Sequence, residues 1–357
     1  MTAAALTYSE NTAIADVRTL RLAAGIALAI GFSQVLNWHA SFIAPILTSL
    51  LLCLPAPAPT LKSCIAFVLV ITISVLLGLA LLPVLHNQPA AGVLIVVLAL
   101  FGCFYFGARG GSPALTTFLL LGLTLIPVIG SESVDAAIFI SRGLAINAFA
   151  AFLFVWIAFA LFPDSQAGPQ AGAPKPEPPP AAIARHSALR STAIVVPVLL
   201  WLLFSSETAS YAVVLLKVAT MGQQSSREDT RTAARDLLLS TLVGGVAAVI
   251  IWNVLQIWPT LIIYSLLFLL CGLIMGPKIF AGAGAAARGP MWSYGLFTMM
   301  IIVAPAVMDT AGGDAAAARF SDRIVMFVFA TFYAVAAVNV FDRFWPVTAN
   351  SASDAQQ

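Results

Sequence analysis

Leu20-Arg21-Leu-Ala-Ala-Gly-Ile-Ala-Leu-Ala-Ile-Gly-Phe-Ser-Gln-Val-Leu-Asn37-Trp38-His39-Ala-Ser41-Phe42-Ile-Ala-Pro45-Ile-Leu-Thr48-Ser-Leu50 is the stretch that decides the fold. From Leu22 to Leu36 no residue carries a charge. With its flanks the run reaches the roughly 20 residues that one bilayer crossing needs. Asn37-Trp38-His39 then makes a tight turn, and apolar sequence resumes at once. Two apolar segments joined so closely read as a helical hairpin of a polytopic membrane protein.

Working outward, the same punctuation recurs later in the chain. Arg21, Ser41, Phe42 and Lys62 are matched by Arg190, Ser210, Tyr211 and Arg231, all at an offset of 169 residues. Pro89 then pairs with Pro259, Arg109-Gly110 with Arg288-Gly289, Pro127 with Pro305 and Arg142 with Arg323. The offset grows only where loops lengthen. The pattern predicts an all-α protein of about twelve membrane spans, built as two parallel six-helix repeats. Parallel repeats meet across an axis along the membrane normal, with a substrate path between them.

Composition points the same way. Hydrophobic residues make up 61% of the 357 and charged residues only 9%. A soluble globule carries about 25% charged residues. A net charge of +2 gives no reason to expect a nucleic-acid partner. The four cysteines, Cys53, Cys64, Cys103 and Cys271, have neither zinc-ligand nor redox spacing and read as small packing residues.

Hydropathy places the spans at 18–37, 40–54, 61–85, 90–108, 114–130 and 137–162, then 187–205, 209–222, 232–257, 260–277, 290–308 and 321–344. The expected organisation is a cytoplasmic segment 1–17, a first repeat 18–163, a Pro/Ala-rich cytoplasmic linker 164–186, a second repeat 187–346 and a disordered cytoplasmic tail 347–357. No signal peptide is expected, because the first seventeen residues are polar and lack an apolar core. Lys and Arg placement sets the orientation. Thirteen basic residues fall on one side of these spans, and only Arg142, Arg319 and Arg323 on the other. Both termini are therefore expected in the cytoplasm.

Candidate functional residues cluster on the second span of each half. Both spans are short: 40–54 contains Pro45, and 209–222 runs into Gln223-Gln224-Ser225-Ser226. Short or broken spans at matched positions free backbone groups for ligand contacts. A tilted helix in a locally thin bilayer is the plainer explanation. The expected substrate-binding set is Lys217, Asn37, Trp38, Ser41, Phe42, Pro45, Thr48, Ser210 and Tyr211. Lys217 matters most, because an ammonium inside a span costs about 3 kcal/mol or more unless a carboxylate, a wet cavity or an anionic ligand receives it. Snorkelling to the cytoplasmic interface is the alternative. Asp236, Glu207, Arg142 and Arg323 are the candidates for charge or proton coupling; interfacial snorkelling is as good a reading of both arginines.

Other motifs carry less. The loops at 109–113 and 276–290 are glycine-rich but lack the order of a phosphate-binding loop. Gly272 and Gly276 form a small-xxx-small pair suited to seating a helix. Trp38, Trp252, Trp258, Trp292 and Trp345 read as an interfacial belt. His39, His86 and His186 are isolated, so neither a metal site, a cofactor nor an enzyme activity is expected.

Gln34-Val-Leu-Asn37-Trp38, Ser41-Phe-Ile-Ala-Pro45, Leu125-Ile-Pro-Val-Ile-Gly130 and Ala160-Leu-Phe-Pro-Asp164 carry a family resemblance. The chain resembles the fusaric acid resistance protein-like family of inner-membrane proteins, which includes aromatic acid exporters, over residues 18–345. It is most similar to a compact branch without the large cytosolic domain that follows the first half in better-known members. The resemblance implies export of small aromatic-acid-like compounds beside a periplasmic adaptor of the membrane fusion type. It supplies no catalytic residue. With it, the sequence predicts a proton-driven efflux permease for amphipathic anions, with a lipid bilayer, a small-molecule substrate and an adaptor as partners and room for a homo-oligomer. A non-transporting scaffold that anchors the adaptor is the second reading.

Overall fold

The computed structural model describes residues 3–54, 56–163, 179–204, 230–281, 288–308 and 314–344. Among these the chain is helical, in eleven segments: α1 (Ala3–Leu36), α2 (Ile43–Cys53), α3 (Leu61–Asn87), α4 (Pro89–Ala108), α5 (Pro113–Glu132), α6 (Val134–Leu161), α7 (Ala181–Leu203), α8 (Thr230–Ile257), α9 (Leu261–Ile279), α10 (Gly289–Met308) and α11 (Asp314–Phe344). Ten of them hold stretches long and apolar enough to cross a membrane. The protein is therefore a multi-pass helical membrane protein. The predicted span 209–222 lies outside the described residues, as do most of the linker and the tail.

Most boundaries follow the hydropathy reading, and local chemistry explains them. Pro89 and Pro113 open α4 and α5, where a missing N–H removes no intrahelical bond. Gly110, at φ 87°, turns the chain after α4. Thr260 caps α9 by accepting from the Ile263 N–H at 3.4 Å. Three helices start earlier than their apolar stretches. α1 begins at Ala3, although its candidate span starts at Ile14. α7 begins at Ala181, directly after the proline run, and α11 begins at Asp314. Alanine-rich flanks such as Ala181-Ala182 and Ala315–Ala318 favour helix without favouring lipid. Hydropathy detects only the lipid-compatible part of such a helix.

The described helices gather into two compact units. One holds α1, α2, the first residues of α3, α6 from Arg142, α8 from Leu239, α9 and α10. The other holds α3 from Leu69, α4, α5, α7 and α11 from Asp322. Each unit thus draws helices from both halves of the sequence.

In the first unit α1 packs along α9, and α2 lies on α1 and α10. A Cβ added at Gly272 would meet the Ala23 Cα at 2.7 Å, and one at Gly276 the Thr19 Cγ2 at 2.6 Å. The small-xxx-small pair does seat a neighbouring helix, and that helix is α1. α8 crosses α10 at glycines: a Cβ on Gly244 would strike the Gly295 carbonyl oxygen. Trp252 is 6% exposed, so it packs inside this unit rather than standing in an interfacial belt. In the second unit α4 packs on α7 and α5. There α3 crosses α5 with the same glycine contact, Gly78 against the Gly122 carbonyl oxygen and Gly122 against the Ser74 carbonyl oxygen.

Candidate functional site

α2 has eleven residues. At 1.5 Å per residue it is about 16 Å long, roughly half the hydrocarbon thickness. It is entered through a turn in which two non-glycine residues, Asn37 (φ 42°) and Ala40 (φ 51°), adopt positive φ. Such conformations each cost on the order of 1 kcal/mol or more and persist only when their surroundings enforce them.

Here the enforcing group is Asn147, on α6 and wholly buried. Its Oδ1 accepts from the Trp38 indole N–H at 2.8 Å and from the Ala44 backbone N–H at 3.1 Å. Its Nδ2 donates to the His39 carbonyl at 2.9 Å and to the Gly143 carbonyl at 2.7 Å. Both donors and both acceptor positions of the carboxamide are thereby used. Phe42, at the N-cap of α2, has no side chain that caps it. Asn147 supplies that cap from another helix and satisfies one of the orphan amides of the first turn. Around it Ala29, Ala44, Ala150 and Phe154 form an apolar cluster, with Leu28 and Trp38 against it. The Trp38 and Phe154 rings stack with centroids 6.4 Å apart.

The predicted binding residues fall into three groups. Asn37 is exposed at the turn, Trp38 and Phe42 are half-buried, and Ser41, Pro45 and Thr48 are buried. Pro45 stands in the first turn of α2, where its missing N–H interrupts nothing. The shortness of α2 therefore owes nothing to Pro45. Thr48 Oγ1 donates to its own helix at the Ala44 carbonyl (2.8 Å), and Ser49 Oγ donates to the Ile46 carbonyl (2.7 Å). Arg142 is exposed on α6, and Asp236 is half-buried on α8. Arg323 belongs to α11, and its side chain lies outside the described residues. Lys217, Ser210, Tyr211 and Glu207 also lie outside them.

The structure adds two residues that hydropathy did not single out. Asn147 was visible only as one amide in an apolar span, a pattern that already argues for an interior position. Arg21 was noted for its repeat mate, yet it is 3% exposed. Its Nε and Nη2 donate to the Phe162 carbonyl at 3.0 and 2.7 Å, and its guanidinium carbon lies 3.8 Å from the Phe159 ring centroid. A cation at the C-terminal end of α6 is favoured by the helix dipole and by the ring face. The repeat mate Arg190 is also buried, at 9% exposure.

Chemically, the turn, α2 and α6 bring together a carboxamide, an indole and hydroxyls, with the exposed His39 imidazole in the same turn. They hold backbone in place and can orient a ligand by hydrogen bonding.

This architecture defines a polytopic membrane protein with a short, internally capped second helix. Residues 18–161, from within α1 to the end of α6, match the family model described as "Protein of unknown function (DUF2955)". That description assigns no activity and names no fusaric acid resistance protein. No curated protein and no solved structure matches the chain.

Proposed function

We propose that the protein is an export permease of the bacterial inner membrane that moves small amphipathic anions of the aromatic-acid type out of the cytoplasm. The observation that carries this reading is α2. It is half a bilayer long, buried on its Pro45–Thr48 face and capped from α6 by Asn147. Short helices held inside a bundle are the elements around which transporters build their substrate paths. In this reading Lys217, at the repeat position of Thr48, supplies the charge that meets the anion. Asp236 and Glu207 are the candidate proton carriers, and Arg142 and Arg323 flank the exit. The proton gradient is the energy source, and a periplasmic adaptor completes the exit route.

Two parallel six-helix repeats are part of the proposal. Matched local contacts support them. α1 packs on α9 as α7 packs on α4, each pair joining the first helix of one half to the fourth span of the other. The Gly78–Gly122 crossing of α3 and α5 is matched by the Gly244–Gly295 crossing of α8 and α10. Cytoplasmic termini follow from the distribution of Lys and Arg.

One observation favours the scaffold reading. The Thr48 and Ser49 hydroxyls are buried and turned onto their own helix, so neither faces an open path. Uptake of labelled aromatic carboxylates into vesicles reconstituted with the pure protein separates the two readings. A permease gives saturable, protein-dependent flux. A scaffold gives none, with or without an adaptor.

A further inference from the structure

The buried faces of α4 and α9 have the same layout. On α4 they are Gly92, Val96, Leu100, Cys103 and Phe104; on α9, Tyr264, Phe268, Gly272, Met275 and Gly276. Every member of the second set lies 172 positions after its counterpart. α4 packs on α7 and α9 on α1, each partner being the first helix of the opposite sequence half. The faces differ in where the bulk lies: Gly92 and Val96 stand where α9 has Tyr264 and Phe268, and toward the other end the order reverses. Leu100 and Phe104 stand where α9 has Gly272 and Gly276.

That difference sets how near the partner helix can come, because interaxial distance follows the side chains at the contact. On α9 there is no room for even a methyl group. A Cβ at Gly272 would lie 2.7 Å from the Ala23 Cα and 2.9 Å from its Cβ, and one at Gly276 would lie 2.9 Å from the Thr19 Oγ1. α1 therefore rests backbone to backbone on α9. On α4 the fully buried Leu100 side chain and the 4% exposed Phe104 ring occupy the corresponding places. α1 laid on such a face would lose the close approach that the glycines allow.

We propose that the α9 face around Gly272 and Gly276 is a docking surface specific for α1 of the same chain. Its glycines commit the first half of the protein to the second half and disfavour pairing of the first half with another copy of itself. The six-helix segment matched by the family model is then one side of an assembly, and it needs a partner bearing an α9-type face. This inference is independent of transport, so it stands or falls apart from the permease reading.

The test uses the full chain with its four native cysteines replaced by alanine and a protease site placed in the 164–178 segment. A Cβ at Gly31 would lie 3.6 Å from the Ser265 Oγ, so side chains at these two positions meet across the α1–α9 contact. Gly31→Cys with Ser265→Cys should therefore form an intrachain bond on mild oxidation. After linker cleavage the halves should stay joined at the mass of one chain and part on reduction. Gly272→Leu in this background should lower the yield roughly tenfold, as expected for overpacking, and Gly272→Ala should lower it by a smaller factor. Gly102→Leu on α4 should not change it, because a Cβ at Gly102 has no neighbour within 4 Å. A product of two chain masses, no bond in the parent, or unchanged yields in both Gly272 variants would overturn the proposal.

Discussion

The Trp38 indole N–H donates to the Asn147 carboxamide oxygen at 2.8 Å, across 109 positions of sequence. That bond and its three companions fix a turn that local sequence does not favour, since Asn37 and Ala40 both hold positive φ. Asn147→Leu strands the Trp38 and Ala44 donors in an apolar setting. It should lower stability by about 1–3 kcal/mol. Thermal unfolding in detergent measures this. Asn147→Asp sets a carboxylate oxygen against the His39 and Gly143 carbonyls in a wholly buried place, so at neutral pH it should destabilise at least as much. An unchanged midpoint for Asn147→Leu would mean that the turn is held by other contacts.

The glycine crossings make a sharper set of variants. A Cβ at Gly122 would run into the Ser74 carbonyl, and one at Gly244 into the Gly295 carbonyl. Backbone cannot yield as a side-chain tip can. Gly122→Ala and Gly244→Ala should each destabilise by about 1–3 kcal/mol. Gly245→Ala, one residue away, meets nothing within 4 Å. It should be neutral or stabilising by up to about 1 kcal/mol through helix propensity. Equal midpoints for Gly244→Ala and Gly245→Ala would contradict the packing described for α8 and α10.

Arg21 caps the end of α6 with two N–H groups on one carbonyl, and its plane meets the Phe159 ring. Arg21→Met removes a charge-assisted contact while relieving a buried charge. A net loss of about 1–2 kcal/mol is expected. Arg21→Lys keeps the charge without the fork and should recover only part of it. Stability of Arg21→Lys equal to the parent would show that charge alone matters at this site.

Much of the helical layout was legible because it rests on apolar runs ended by proline, glycine and polar turns. α3, α4, α5, α9 and α10 begin and end within a few residues of the hydropathy reading. Alanine-rich flanks hid the early starts of α1, α7 and α11, since they are helical without being apolar. The turn at Asn37-Trp38-His39 was legible as a turn. Its partner was not, because a bond from the α1–α2 turn to α6 leaves no local trace. Trp252 misled for the same reason: a tryptophan near a span end looks interfacial until its neighbours are known. Pro45 misled in the other direction, since a proline's meaning depends on which helical turn it occupies. The matched arginines, Arg21 and Arg190, were visible as a pair, but their burial depends on what packs over them.

Topology offers an independent check on the layout. Reporter fusions at Gln166 and at the C-terminus should give cytoplasmic signals, and a fusion at Gly312 a periplasmic one. A periplasmic signal at Gln166 would give the segment before it an odd number of spans and undo the parallel-repeat proposal.

Anion export is tested most directly by flux into inside-out vesicles reconstituted with parent protein and with Lys217→Met. With a proton gradient imposed, the parent should accumulate a labelled aromatic carboxylate. Lys217→Met should lose that accumulation while inserting normally, because the only change is removal of one cation proposed to meet the substrate. Lys217→Arg should keep part of it. Equal accumulation by parent and Lys217→Met would contradict the role given to Lys217, and no accumulation of any anion by the parent would contradict the permease itself.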